Sequence, residues 1–123
     1  MPDASALLPI DAANLLAGQA VAGATGFLNG RHDCSQLLHE VDRLQVSLIA
    51  IDDTGARQIL QPVRLLVIAM RCTGLAAQAH DAPGAPPLAL ARRDRWEQVT
   101  ASLVELVRTE SLALRQSATE ASA

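Results

Sequence analysis

A chain of 123 residues has the size of one domain, enough for a single core that buries roughly two-thirds of the surface exposed when unfolded. Half of the residues are hydrophobic but only 2% are aromatic, so Ala, Leu, Val and Ile must fill that core, which suits close-packed helices better than stacked strands. The net charge of −3 removes the basic surface that general nucleic-acid binding uses to neutralise phosphates, and no nucleic-acid partner is expected.

Every basic residue is Arg and none is Lys, which together with the abundant Ala points to the coding bias of a GC-rich bacterium. Cys34 and Cys72 have no CxxC spacing and are too few for a disulfide framework. The opening stretch, MPDASALLPIDAANLL, lacks a basic region and is broken by Asp3, Asp11 and Asn14, so no signal peptide is expected. Arg64 and Arg71 interrupt the best apolar run before it reaches membrane-spanning length. The expectation is a cytoplasmic protein with no membrane partner.

Residues 1–10 read as an N-terminal extension to a helical domain over 11–116. The first helix is predicted from Asp11, its N-cap, to Leu28. It carries Gly18, Ala22 and Gly26 at steps of four, a smooth stripe open to a neighbouring backbone. Its glycines each cost about 1 kcal/mol against Ala in a helix interior, so this helix depends on packing.

The turn Asn29-Gly30-Arg31-His32-Asp33 ends it, with Asp33 placed to cap the next helix. That second helix sets Cys34, Leu37, Val41, Leu44, Leu48 and Ile51 at alternating steps of three and four, a core seam like that of a coiled coil. A competing reading takes the β-branched residues around the turn Asp52-Asp53-Thr54-Gly55 as a β-hairpin at about 46–60, giving an α+β fold.

The third helix is the most apolar part of the chain. Ile59, Val63, Leu66, Met70, Thr73 and Ala77 repeat the core step, while Arg64, Arg71 and Gln78 leave only a narrow polar stripe. Pro62 suits a first turn, so the regular helix is predicted to begin near Gln61. The run His80–Pro87 is the longest break. After it, a fourth helix from Leu88 to Arg115 is expected to face Trp96, Val99, Leu103, Leu106 and Val107 inward. The small polar run from Ser117 reads as a flexible tail over 117–123. Four helices joined by short connections predict an all-α, antiparallel up-down four-helix bundle.

No residue pattern in this chain carries catalysis, a cofactor or a metal. His32 and His39 are seven apart, about 10 Å along a helix, where paired helical ligands stand three or four apart. Cys72 follows Arg71, but His80 is two turns further on and offers no defined base. Cys34, on the core seam, reads as a small hydrophobe. There is no Gly-rich phosphate loop, paired-acid cleft or serine elbow.

His39 is the alternative worth stating, as the phosphoryl acceptor of a phosphorelay component. A histidine-containing phosphotransfer domain is a bundle of similar size whose active histidine is followed by Lys three residues later and then Gly. Here the run is His39-Glu40-Val41-Asp42-Arg43, with an acid in place of the Lys and an Arg in place of the Gly. The chain resembles that family in size and helix count only.

Arg57, Arg64 and Arg71 recur every seven residues and keep to one face. They are candidate contacts for an anionic partner, or else pair with Glu40, Glu105 or Glu110 on adjacent helices. Arg92, Arg93 and Arg95 sit at the start of the fourth helix, where cations oppose the dipole, offset by Asp94 and Glu97.

The surplus of apolar residues is more telling. Val46 and Ile49 on the second helix, and Leu65, Ile68 and Leu75 on the third, fall outside the core seams and predict an interface. We therefore expect a non-enzymatic bundle acting through protein–protein contact, by self-association as a homo-oligomer (a dimer) and in a regulatory, adaptor or neutralising role. A third reading is a small apolar ligand held where the Ala and Gly residues of the first helix leave room.

Overall fold

The computed structural model describes residues 9–51 and 56–122. Its elements are α1 (Pro9–Leu28), α2 (Cys34–Ala50), α3 (Arg57–Asp81) and α4 (Ala89–Ser122), and among the described residues there is no strand. The protein is an all-α four-helix bundle. The hairpin alternative at 46–60 is overturned. Val46 to Ala50 continue α2 to its end, and α3 has begun by Arg57, because the apolar steps of three and four outweigh the local β-branched composition. The turn Asp52–Gly55 lies outside the described residues, as does nearly all of the extension assigned to 1–10.

The helix ends follow from local chemistry. α1 starts at Pro9, so Asp11 sits inside its first turn, where its charge favours the helix dipole, and is not the cap. Gly30, at φ 76°, turns the chain out of α1, and Arg31 N–H donates back to the Gly26 carbonyl at 2.8 Å. α2 opens with a capping box: Gln36 N–H donates to Asp33 Oδ1 and Asp33 N–H to Gln36 Oε1, both at 2.8 Å.

α3 begins four residues before the expected Gln61. Pro62 is therefore buried more than a turn inside the helix and gives up the bond to the Gln58 carbonyl. α4 has 34 residues, about 51 Å of helix, and continues to Ser122, where a tail from 117 was expected.

Contacts between named residues fix the topology. Position 71 of α3 meets 42 and 45 of α2, while 74 meets 37 and 38, so the two run antiparallel. Thr73 meets Trp96 and Thr100, while His80 and Asp81 meet Arg93, so α3 and α4 are antiparallel too. Asn14 with Ser111 and Phe27 with Arg93 give the same relation for α1 and α4. α1 and α3 each touch all other helices, whereas α2 and α4 make no contact with each other among the described residues.

The core seams of α2 and α3 are those predicted: Leu37, Val41, Leu44 and Leu48 are buried against Ile59, Val63, Leu66, Met70, Thr73 and Ala77. Cys34 and Ile51, at the ends of the α2 seam, are half-buried. α2 and α3 approach closely at Gly74, where a methyl group would stand 2.7 Å from Leu38 Cδ2.

Two expectations need correction. On α1 the packing stripe is Ala13, Ala17, Ala20, Gly23 and Ala24, while Gly18 and Ala22 face outward. Of the predicted stripe only Gly26 is covered, by the His32 ring of the following turn. On α4 Val107 is buried as expected, but in a row with Thr100, Val104 and Ser111; Val99 and Leu106 are exposed, and Trp96 and Leu103 half-buried.

The reason lies in the hydroxyls. Thr73 Oγ1 donates to the Trp96 carbonyl at 3.0 Å, so the Thr100 hydroxyl, 2.8 Å away, donates to Thr73. Ser111 Oγ donates to Asn14 Oδ1 at 3.2 Å. Satisfied in this way, Thr100 and Ser111 can be buried, and the aliphatic residues beside them turn outward.

Candidate interaction surface

α3 owes its burial to three neighbours, and they leave one strip uncovered. That strip has its own period. Gln61, Leu65, Ile68, Cys72, Leu75 and Ala79 step by four and three, in the same rhythm as the inner seam and on the opposite side of the helix. Gln61, Leu65, Ile68, Leu75 and Ala79 are exposed and Cys72 is half-buried. The five residues singled out from sequence are exposed: Val46 is 70% exposed, Ile49 86%, Leu65 51%, Ile68 54% and Leu75 50%.

The structure brings some of these together and not others. Ile49 and Ile68 line one groove of about 680 Å³ between α2 and α3, with Gln45, Leu48, Arg64 and Val67. Leu65 and Leu75 flank Ile68 along α3. Val46 lies outside that groove, further round α2. Asp42, Gln45, Cys72, Gln61 and Ala79 were missed as members of this surface. Counting the three-four step from Gln61 as well as from Ile59 would have found the α3 residues.

The arginine row is divided. Arg71 Nη2 donates to Asp42 Oδ1 at 2.8 Å and to Gln45 Oε1 at 2.5 Å, so it bridges α3 to α2. Its acid is Asp42 and not Glu40, Glu105 or Glu110. Glu40 is taken by Arg43 and Glu105 by Arg108, each one turn away on its own helix. The hydrogen bond from Arg43 to Glu40, and then the attraction of that carboxylate, raise the Arg43 pKa above its ordinary value. Arg64 lines the α2–α3 groove, and Arg57 is exposed as the first residue of α3. The three do not converge on one site.

The histidines separate in the same way. His32 and His39 border one open cleft of about 580 Å³ between α1 and α2, shared with Gln19, Ser35 and Arg43. His39 is exposed. His80 lies 3.1 Å from Arg93 Nη1 on the neighbouring helix. Arg93 also pairs with Asp81 at 3.1 Å and Glu97 at 3.5 Å, and its guanidinium sits 5.9 Å from the centre of the Phe27 ring. Of the α4 arginines, Arg93 thus serves to close one end of the bundle. Among the described residues no group of three or more His, Cys, Asp or Glu is placed to hold a metal ion.

No family model, no curated protein and no solved structure matches the chain.

Proposed function

We propose that the protein is a non-catalytic helical bundle that works by binding protein through the outer face of α2 and α3. The observation that carries this reading is the apolar strip left open on the most apolar helix. A half-exposed aliphatic side chain is ordinary on its own. Ile49, Leu65, Ile68 and Leu75 are gathered on two adjacent helices, next to a groove that Arg64 lines and beside the Arg71–Asp42 pair.

Such a gathering is the feature that marks association surfaces. α3 is long and apolar enough by composition to cross a membrane, as core helices of soluble proteins are; 56% of its most apolar window is buried inside the bundle, which supports reading it as a core helix. The occupant of the face is a second copy, and a regulatory or adaptor role would be exercised by exchanging that copy for another partner.

Sedimentation equilibrium from the low micromolar range upward tests this. The expected result is a dimer that Ile68→Glu converts to a monomer with unchanged helical content. A wild-type protein that stays monomeric throughout would count against self-association. The competing reading, in which His39 accepts a phosphoryl group, is supported by its exposure on the α1–α2 cleft. It predicts a phosphohistidine that is lost in His39→Ala.

A further inference from the structure

The outer seam of α3 also carries information about direction. Taken from either end it has a large polar residue against a small one, Gln61 and Ala79; then Leu65 and Leu75; then, at the centre, Ile68 and Cys72. We propose that two copies pair α3 against α3 in antiparallel orientation, about a two-fold axis that crosses the outer seam midway between Ile68 and Cys72. This rests on the reading of the open face as a self-association surface and gives it a geometry.

In that register Leu65 meets the partner's Leu75, Ile68 meets the partner's Cys72, and Gln61 meets the partner's Ala79. Every layer then holds either two Leu or one larger and one smaller side chain, and the spacing between the helices stays even along the contact. A parallel pair would stack Ala79 on Ala79 at one end and Gln61 on Gln61 at the other, opening a gap where the first pair sits. Antiparallel helices also oppose their dipoles.

Charge is consistent with the reversal. It brings the α2 sides of the two copies together, so that the two Arg71 side chains approach the axis. Each arrives already paired with an Asp42 whose carboxylate side chain remains 69% exposed. The central pairs are neutral overall, and each carboxylate is left open to the other copy's guanidinium.

The area sets a further requirement. The outer half of a helix about 10 Å across, over the roughly 27 Å from Gln61 to Ala79, offers about 420 Å². A standard interface takes roughly 800 Å² from each partner. The contact must therefore extend onto the flanks of α3, where Ile49 on α2 and Val99 and Leu106 on α4 are exposed.

Disulfide trapping tests the register. In a background carrying Cys34→Ser and Cys72→Ala, Leu65→Cys and Leu75→Cys are made as separate proteins, checked for native helicity, and oxidised alone and as an equimolar mixture. The proposal expects a cross-linked dimer in the mixture and little in either protein alone. Cross-linking of each protein with itself, with no mixed Leu65→Cys/Leu75→Cys dimer formed on mixing, would overturn the antiparallel register while leaving self-association standing. A dimer in sedimentation with no cross-link in any sample would move the interface off this seam. Monomers throughout would overturn both the register and the reading beneath it.

Discussion

The two faces of α3 are built to one pattern and have opposite fates. Ile59, Val63, Leu66, Met70, Thr73 and Ala77 are fully buried, while Gln61, Leu65, Ile68, Cys72, Leu75 and Ala79, in the same rhythm, lie open or half-open. Hydrophobic periodicity says that a face is to be covered but not by what. The inner seam is covered by the protein's own α1, α2 and α4. The outer one lacks an internal partner among the described residues, and the proposed function rests on this asymmetry.

The sharpest way to break the comparison is to truncate adjacent leucines. Leu66→Ala should cost about 2–5 kcal/mol in urea unfolding, because a fully enclosed leucine leaves a cavity. Leu65→Ala, one residue away, should change the stability of the monomer by no more than about 0.5 kcal/mol, as at other surface positions. Equal losses would mean that the outer seam is covered within the monomer.

A smaller effect probes the polar element of the inner face. Thr73→Val removes the donor to the Trp96 carbonyl and the acceptor of the Thr100 hydroxyl, for a loss of about 1–3 kcal/mol. Adding Thr100→Val should restore part of that loss, since an apolar pair of the same shape leaves no hydroxyl unsatisfied. Denaturant titration of the two single variants and the double variant gives the coupling.

The smallest expected effect lies on the border of the outer face. Asp42→Ala should cost at most about 1 kcal/mol and less at high salt, because the pair with Arg71 is exposed and Gln45 still accepts from the guanidinium. Its effect on association should be larger than its effect on folding, which sedimentation of the same variant would show.

The bundle and the seams of α2 and α3 were legible because large aliphatic residues there keep strict steps of three and four. α1 and α4 were misread for related reasons. In α1 Leu16 and Phe27 are buried, but the stripe between them is Ala13, Ala17, Ala20 and Ala24, which keep the same step and are too small to stand out against the glycines beside them. In α4 the sequence offers Trp96, Val99, Leu103, Leu106 and Val107; the fold buries Val107 but centres the row on Thr100, Val104 and Ser111, leaving Trp96 and Leu103 half-buried and Val99 and Leu106 exposed. That rotation depends on hydrogen bonds to α3 and α1, which no single segment reveals. The exposed aliphatics of α2 and α3 were visible as surplus. The meeting of Ile49 and Ile68 in one groove needed the register between α2 and α3, which Arg71 and Gly74 supply.

Among the described residues α2 and α4 do not touch, and this has a dynamic consequence. Each lies on α1 and α3 without support from the other, so either can detach in a local opening while the remaining three helices stay packed. Amide hydrogen exchange under native conditions should therefore divide the molecule. The slowest amides belong to α3, whose release requires all its neighbours to let go. α2 should exchange through its own, shallower opening, which uncovers the groove side of α3.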